Sequence, residues 1–71
     1  MHLPLASLRE KLGVTQTELA KRLNISQPSV SHIESSQNLH VSTLKKYVEA
    51  LGCTLEIVAK SPGKKSIILF N

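Results

Sequence analysis

Apolar residues recur at spacings of three and four along most of the chain and at a spacing of two only near its end. Leu5, Leu8 and Leu12 form the first stripe, and Gly13 stands where a helix needs a left-handed closing residue, which predicts a helix from about Leu5 to Leu12. Leu19, Ala20 and Leu23 form the second stripe. Thr15 precedes it with Glu18 three residues on, the spacing of a capping box, so a second helix is expected over Gln16–Leu23. Asn24 tolerates the left-handed conformation and Ser26 can cap a further helix, so Asn24-Ile25-Ser26 turns the chain sharply. That third helix runs from about Gln27 to Ser35 with Val30 and Ile33 inward. Pro28 is tolerated in its first turn, where the missing N–H has no intrahelical partner anyway.

Ser35 to His40 is polar and aperiodic, and reads as a loop. Val41, Leu44, Val48 and Leu51, with Tyr47 beside them, mark a fourth helix capped by Ser42 and closed by Gly52. From Thr54 the period becomes two. Leu55, Ile57 and Ala59 point one way and Thr54, Glu56, Val58 and Lys60 the other, as in a half-buried strand, and Ser61-Pro62-Gly63-Lys64 supplies a turn. Ser66 to Phe70 is a second strand whose Ile67, Ile68, Leu69 and Phe70 are apolar on both faces and should be covered on two sides. A lone hairpin gives no such cover, so these residues point to pairing with a second copy or with another protein. The expected core is Leu8, Leu19, Leu23, Val30, Ile33, Leu44, Val48 and Leu51.

Seventy-one residues at 41% apolar content allow a single domain, residues 1–71, helical over 1–52 with a hairpin over 53–71. Ordering such a chain costs on the order of 100 kcal/mol, and a core this small nearly breaks even, so a staple is expected. Cys53, the lone cysteine, cannot make a disulfide within the chain, and His2, His32, His40 and Cys53 are too scattered to hold zinc. Oligomerisation remains. The start MHLPLAS has no charged region leading into an apolar run, and no stretch nears eighteen apolar residues, so neither an export signal nor a membrane partner is expected, and the compartment is a reducing cytoplasm.

Nine Lys and Arg against five acidic residues give a net charge of +4, which favours a polyanionic partner. Catalysis is not expected. Ser31 and His32 are helix neighbours that point about 100° apart, no Asp exists to orient the imidazole, and there is no carboxylate pair, metal cluster or phosphate-cradling glycine loop, hence no cofactor and no metal.

Two short helices joined by a tight turn, the second carrying hydroxyls and amides on its outer face, is the geometry that lays a helix in the DNA major groove. Gln27, Pro28, Ser31 and His32 lie away from Val30 and Ile33 and are the candidate base contacts. Gln27 stands first, because its amide can bond adenine N6 and N7 together, and Pro28 can pack on a thymine methyl. No Lys or Arg occurs between Asn24 and Asn38, so phosphate attraction must come from elsewhere: Ser29, Asn38, His40, Thr43, Lys45 and Lys46 are the candidates.

The run from Thr15 to Glu34, with Gln16, Glu18-Leu19-Ala20, the Ile25-Ser26 turn, Val30-Ser31 and Ile33-Glu34, resembles the helix-turn-helix of the XRE family, the lambda-repressor-like group. The resemblance continues through Ser42-Thr43-Leu44 and Ala50-Leu51-Gly52. It implies a mainly α fold, a four-helix lambda-repressor-like helix-turn-helix domain, here with a C-terminal β-hairpin. It implies that Gln16 bonds a phosphate and steadies the first recognition residue, and that Arg9 pairs with Glu34 in a structural role.

A strand directly after the fourth helix is similar to DNA-binding antitoxins of the HigA and HipB types, and in the latter such strands pair across a dimer. The expected function is therefore a homodimeric repressor on an inverted-repeat operator in double-stranded DNA, an autoregulatory antitoxin with a cognate toxin. Its dimer contacts would be Leu55, Ile57, Ile67, Ile68, Leu69 and Phe70. Two alternatives stay open: a phage or mobile-element repressor with no toxin partner, and an interaction module that no longer binds DNA.

Overall fold

The computed structural model describes residues 2–71, so Met1 of the expected domain lies outside it. Four helices, α1 (Leu5–Lys11), α2 (Gln16–Leu23), α3 (Gln27–Ser35) and α4 (Val41–Ala50), precede a two-stranded antiparallel sheet of β1 (Ile57–Ala59) and β2 (Ile67–Phe70). α2 packs against both α3 and α4.

Local chemistry sets the helix ends. Thr15 and Glu18 make the reciprocal capping box: the Thr15 hydroxyl accepts from the Glu18 N–H, and the Glu18 carboxylate accepts from the Thr15 N–H. Ser26 accepts from the Ser29 N–H at the start of α3, and Pro28 occupies its first turn. α1, α2 and α4 stop in the same way. A left-handed residue follows the last turn (Gly13, Asn24, Gly52), and the next N–H reaches back five residues: Val14 to the Arg9 carbonyl, Ile25 to Ala20, Cys53 to Val48. The Arg22 guanidinium also donates to the Ala50 carbonyl at 2.9 Å, tying the end of α2 to the last turn of α4.

Several expected boundaries shift. α1 ends at Lys11, and Leu12 is its C-cap, 46% exposed. Ser42 does not cap α4. The helix begins two residues earlier, behind His40, because Val41 already has helical geometry, and the His40 side chain makes no cap hydrogen bond. The first strand begins at Ile57 rather than Thr54, and the second at Ile67 rather than Ser66. A register shift separates Ile57, opposite Phe70, from Val58, opposite Ile68, so the expected alternation is lost: Ile57 and Val58 are both half-buried and Ala59 is exposed.

The core is Leu5, Val14, Leu19, Ala20, Val30, Tyr47, Val48 and Leu51. Leu8, Leu23, Ile33 and Leu44, expected inside it, are its half-buried rim. Val14 enters because the residue after a left-handed helix stop commonly folds back onto the last turn. Tyr47 lies on the Leu44–Leu51 stripe itself and is fully buried together with Leu19 and Val30.

Candidate nucleic-acid interface

α3 buries Val30 and turns Gln27, Pro28, Ser31 and His32 to solvent. Its one acidic group goes inward. Glu34 is 8% exposed and gathers side chains from three other helices. Arg9 of α1 forms a fork with it, Nε to Oε2 at 2.6 Å and Nη2 to Oε1 at 3.3 Å, while Arg9 Nη1 donates to the Val14 carbonyl at 2.9 Å. Tyr47 of α4 donates its hydroxyl proton to Oε2 at 2.6 Å, with the Leu5 carbonyl 3.2 Å away. Gln16 of α2 donates from Nε2 to Oε1 at 2.8 Å. Four donors fill the lone-pair positions of one carboxylate, the condition under which burying an ion pair is tolerable. Among the described residues no buried side-chain polar atom lacks a partner.

Burial alone would raise the Glu34 carboxyl, but the hydrogen bonds from Arg9, Tyr47 and Gln16, with the Arg9 charge, hold it below the ordinary carboxylate range. Burial first, then the adjacent carboxylate, pushes the Tyr47 phenol up. The hydrogen bond to Glu34 raises Arg9.

This buried cluster reaches the surface through glutamines. Gln16 Oε1 accepts from Gln27 Nε2 at 2.6 Å, so the first exposed residue of α3 is joined to the core by a continuous chain of hydrogen bonds. The other candidates stand more loosely. Ser29 shares a hydroxyl contact of 2.7 Å with Ser26, Asn38 donates its backbone N–H to the Ser36 hydroxyl, His40 is exposed at the head of α4, and Thr43 is half-buried one turn in.

Lys45 and Lys46 lie elsewhere. They line a groove of about 750 Å³ between α4 and the hairpin, with Val41, Ile57, Leu69 and Phe70, and the Lys45 ammonium sits 5.4 Å from the Phe70 ring centre. Of the expected dimer residues, Leu55 packs on the core rim and Ile57 and Phe70 are half-buried, whereas Ile67, Ile68 and Leu69 are 64%, 52% and 65% exposed.

The Tyr47 and Gln16 bonds to Glu34 were not legible as such, although the place of Tyr47 on the α4 stripe signals its burial. No described helix is long and apolar enough to cross a membrane.

A capping-box helix, a three-residue turn and a second helix with an open polar face define a helix-turn-helix protein. The profile of that family matches residues 5–58, and the chain belongs to it. Among its relatives is antitoxin HigA1 of Mycobacterium tuberculosis, 34% identical over 64 residues, which are 89% of this chain and 43% of that protein. The chain spans about half the length of the curated relatives it matches.

Two solved structures are similar over the whole chain. A HigA antitoxin described as bending DNA through a unique dimerization has a TM-score of 0.84 at 36% identity, covering 100% of this chain and 95% of that one. A DNA-bound antitoxin HigA3 has a TM-score of 0.86 at 35% identity, covering 100% and 94%.

Proposed function

We propose that this chain is a DNA-binding antitoxin that acts as a homodimeric transcriptional repressor of its own promoter and pairs with a cognate toxin. The observation that carries the DNA reading is Gln27, exposed at the start of the second helix of the motif and held in place by Gln16. A glutamine so placed can bond adenine N6 and N7 together. Gln16, Ser29, Asn38, His40 and Thr43, with the uncapped first turn of α4, would position the phosphates, and Lys46 and Lys45 add long-range attraction. The DNA-bound HigA3 structure supports this reading, and the antitoxin names of the relatives support the toxin pairing.

For the dimer, β2 leaves one edge unpaired and three apolar side chains in solvent, and a second copy meeting it there would cover both. Two-fold symmetry then sets the paired α3 helices about 34 Å apart, one turn of an inverted repeat.

The test is to select a duplex from a randomised pool with the parent chain and measure Gln27→Ala on it. A folded Gln27→Ala should lose about 1–3 kcal/mol on the selected duplex and less on a scrambled one. Equal affinity and equal selectivity in parent and variant would remove the reading.

A further inference from the structure

We propose that the buried Glu34 carboxylate, acting through Gln16, fixes which edge of the Gln27 amide meets the DNA and so sets a preference for adenine over guanine. This rests on the proposed DNA-binding function; the steadying of Gln27 by Gln16 is what the family resemblance implies, and the new positioning residue for specificity is Glu34.

A glutamine amide has an oxygen end and a nitrogen end of nearly equal shape, and a free one turns over at little cost. Here it cannot. Arg9 carries donors only, and the ionised Glu34 between Arg9 and Gln16 carries acceptors only. Gln16 must therefore turn its Nε2 inward to Glu34, at 2.8 Å, which leaves its Oε1 outward. That oxygen in turn demands a donor, and Gln27 supplies Nε2 at 2.6 Å. The polarity chosen at the buried carboxylate is thus copied outward twice, and nothing in the chain of bonds can be reversed alone.

The consequence falls on the major-groove edge of a purine. With one of its two N–H groups held by Gln16, Gln27 has one N–H and one oxygen left for DNA. Adenine offers N7 as acceptor and N6–H as donor, and matches that pair. Guanine offers N7 and O6, both acceptors, so the Gln27 oxygen would face O6. An unheld glutamine escapes this conflict by turning over and giving both N–H groups to guanine.

The experiment uses the 71-residue chain and the duplex selected by the parent, at the A·T pair whose replacement by G·C Gln27→Ala ignores. The parent should prefer A·T at that pair by about ten-fold or more. Gln16→Met keeps length and removes the amide. It should weaken binding to every duplex, as loss of a phosphate contact does, and also cut the A·T preference by about five-fold. In the Gln27→Ala background Gln16→Met should leave the ratio unchanged.

A folded Gln16→Met that loses affinity but keeps the parent ratio overturns the proposal while leaving the DNA reading standing. A parent that selects no duplex at all removes both. Arg9→Met with Glu34→Gln takes the charge pair out together and lets position 34 present either end of an amide to Gln16, so the preference should fall with both glutamines intact. If this folded double variant keeps the ratio that Gln16→Met loses, the carboxylate has no part in it and the assignment to Glu34 fails.

Discussion

The helical body and the hairpin solve opposite problems with the same modest supply of apolar residues. From Leu5 to Leu51 the buried apolar residues form one cluster, and even a charged pair is sunk into the body with no buried side-chain polar atom left without a partner among the described residues. From Ile57 to Phe70 the strands pair with each other, but Ile67, Ile68 and Leu69 stay in water. Burying such side chains is worth roughly 1.5–3 kcal/mol each, so leaving three outside is a large forgone stabilisation for so small a chain. The body is closed by its own sequence, whereas the hairpin would be closed by the second copy of the proposed dimer.

If that contrast is right, the largest effect of any single change should come from the finished region. Arg9→Ala withdraws two of the four donors to Glu34 and leaves the Val14 carbonyl without its guanidinium partner. Removing one member of a buried pair costs about 3–5 kcal/mol, and small domains have only about 5–15 to lose. Urea melts followed by circular dichroism should find Arg9→Ala largely unfolded. Exchanging both members, Arg9→Met with Glu34→Gln, should restore most of the loss. A melt of Arg9→Ala within about 1 kcal/mol of the parent would mean that the hub is ornamental.

Acid should attack the same place, more gently. The folded Glu34 carboxyl titrates below its ordinary value, so its stabilising contribution is complete above the unfolded carboxylate range, near pH 4.3, and is lost as pH falls through the lower folded value. Glu18, held down by the Thr15 N–H and hydroxyl, has the same sign and sits in water. Urea midpoints measured from pH 7 down to pH 2.5 should therefore fall below about pH 4. The fall should be shallower in the Arg9→Met, Glu34→Gln protein and little changed by Glu18→Gln. A parent midpoint flat across that range would contradict the sign.

The same division explains what could be read from the residues alone. The helices were legible because caps, turn residues and three–four spacing are local signals: Thr15 with Glu18, Ser26 and Asn24 need only their neighbours. The Arg9–Glu34 contact was reachable only through family resemblance, since its members stand 25 residues apart and neither carries a local mark. Tyr47 and Gln16 were missed as partners of Glu34 because a hydroxyl and an amide fit equally well in water or against a carboxylate, and only the packing of α1, α2 and α4 around α3 decides it. The bulge that shifts Ile57 against Val58 was hidden for a different reason: a run of four apolar residues has no alternation from which to read a register.

The mildest change to the body should be the removal of the hairpin's second strand, and this is where the contrast can be broken most cleanly. Deleting residues 66–71 takes away Phe70, whose half-buried ring lies 5.4 Å from the Lys45 ammonium of α4, and such a cation–π contact is worth about 0.5–1 kcal/mol. Leu55 remains to cover the core rim. The truncated chain, measured as a dilute monomer, should thus melt within about 1 kcal/mol of the parent measured the same way. Its mass by sedimentation should be that of one chain where the parent gives two, and its grip on a selected inverted repeat should weaken far more than on a single half-site, since two half-sites are then no longer held by one body. If the truncated protein instead unfolds, the strands belong to the fold after all, and the exposed isoleucines must be sought among the residues that complete it.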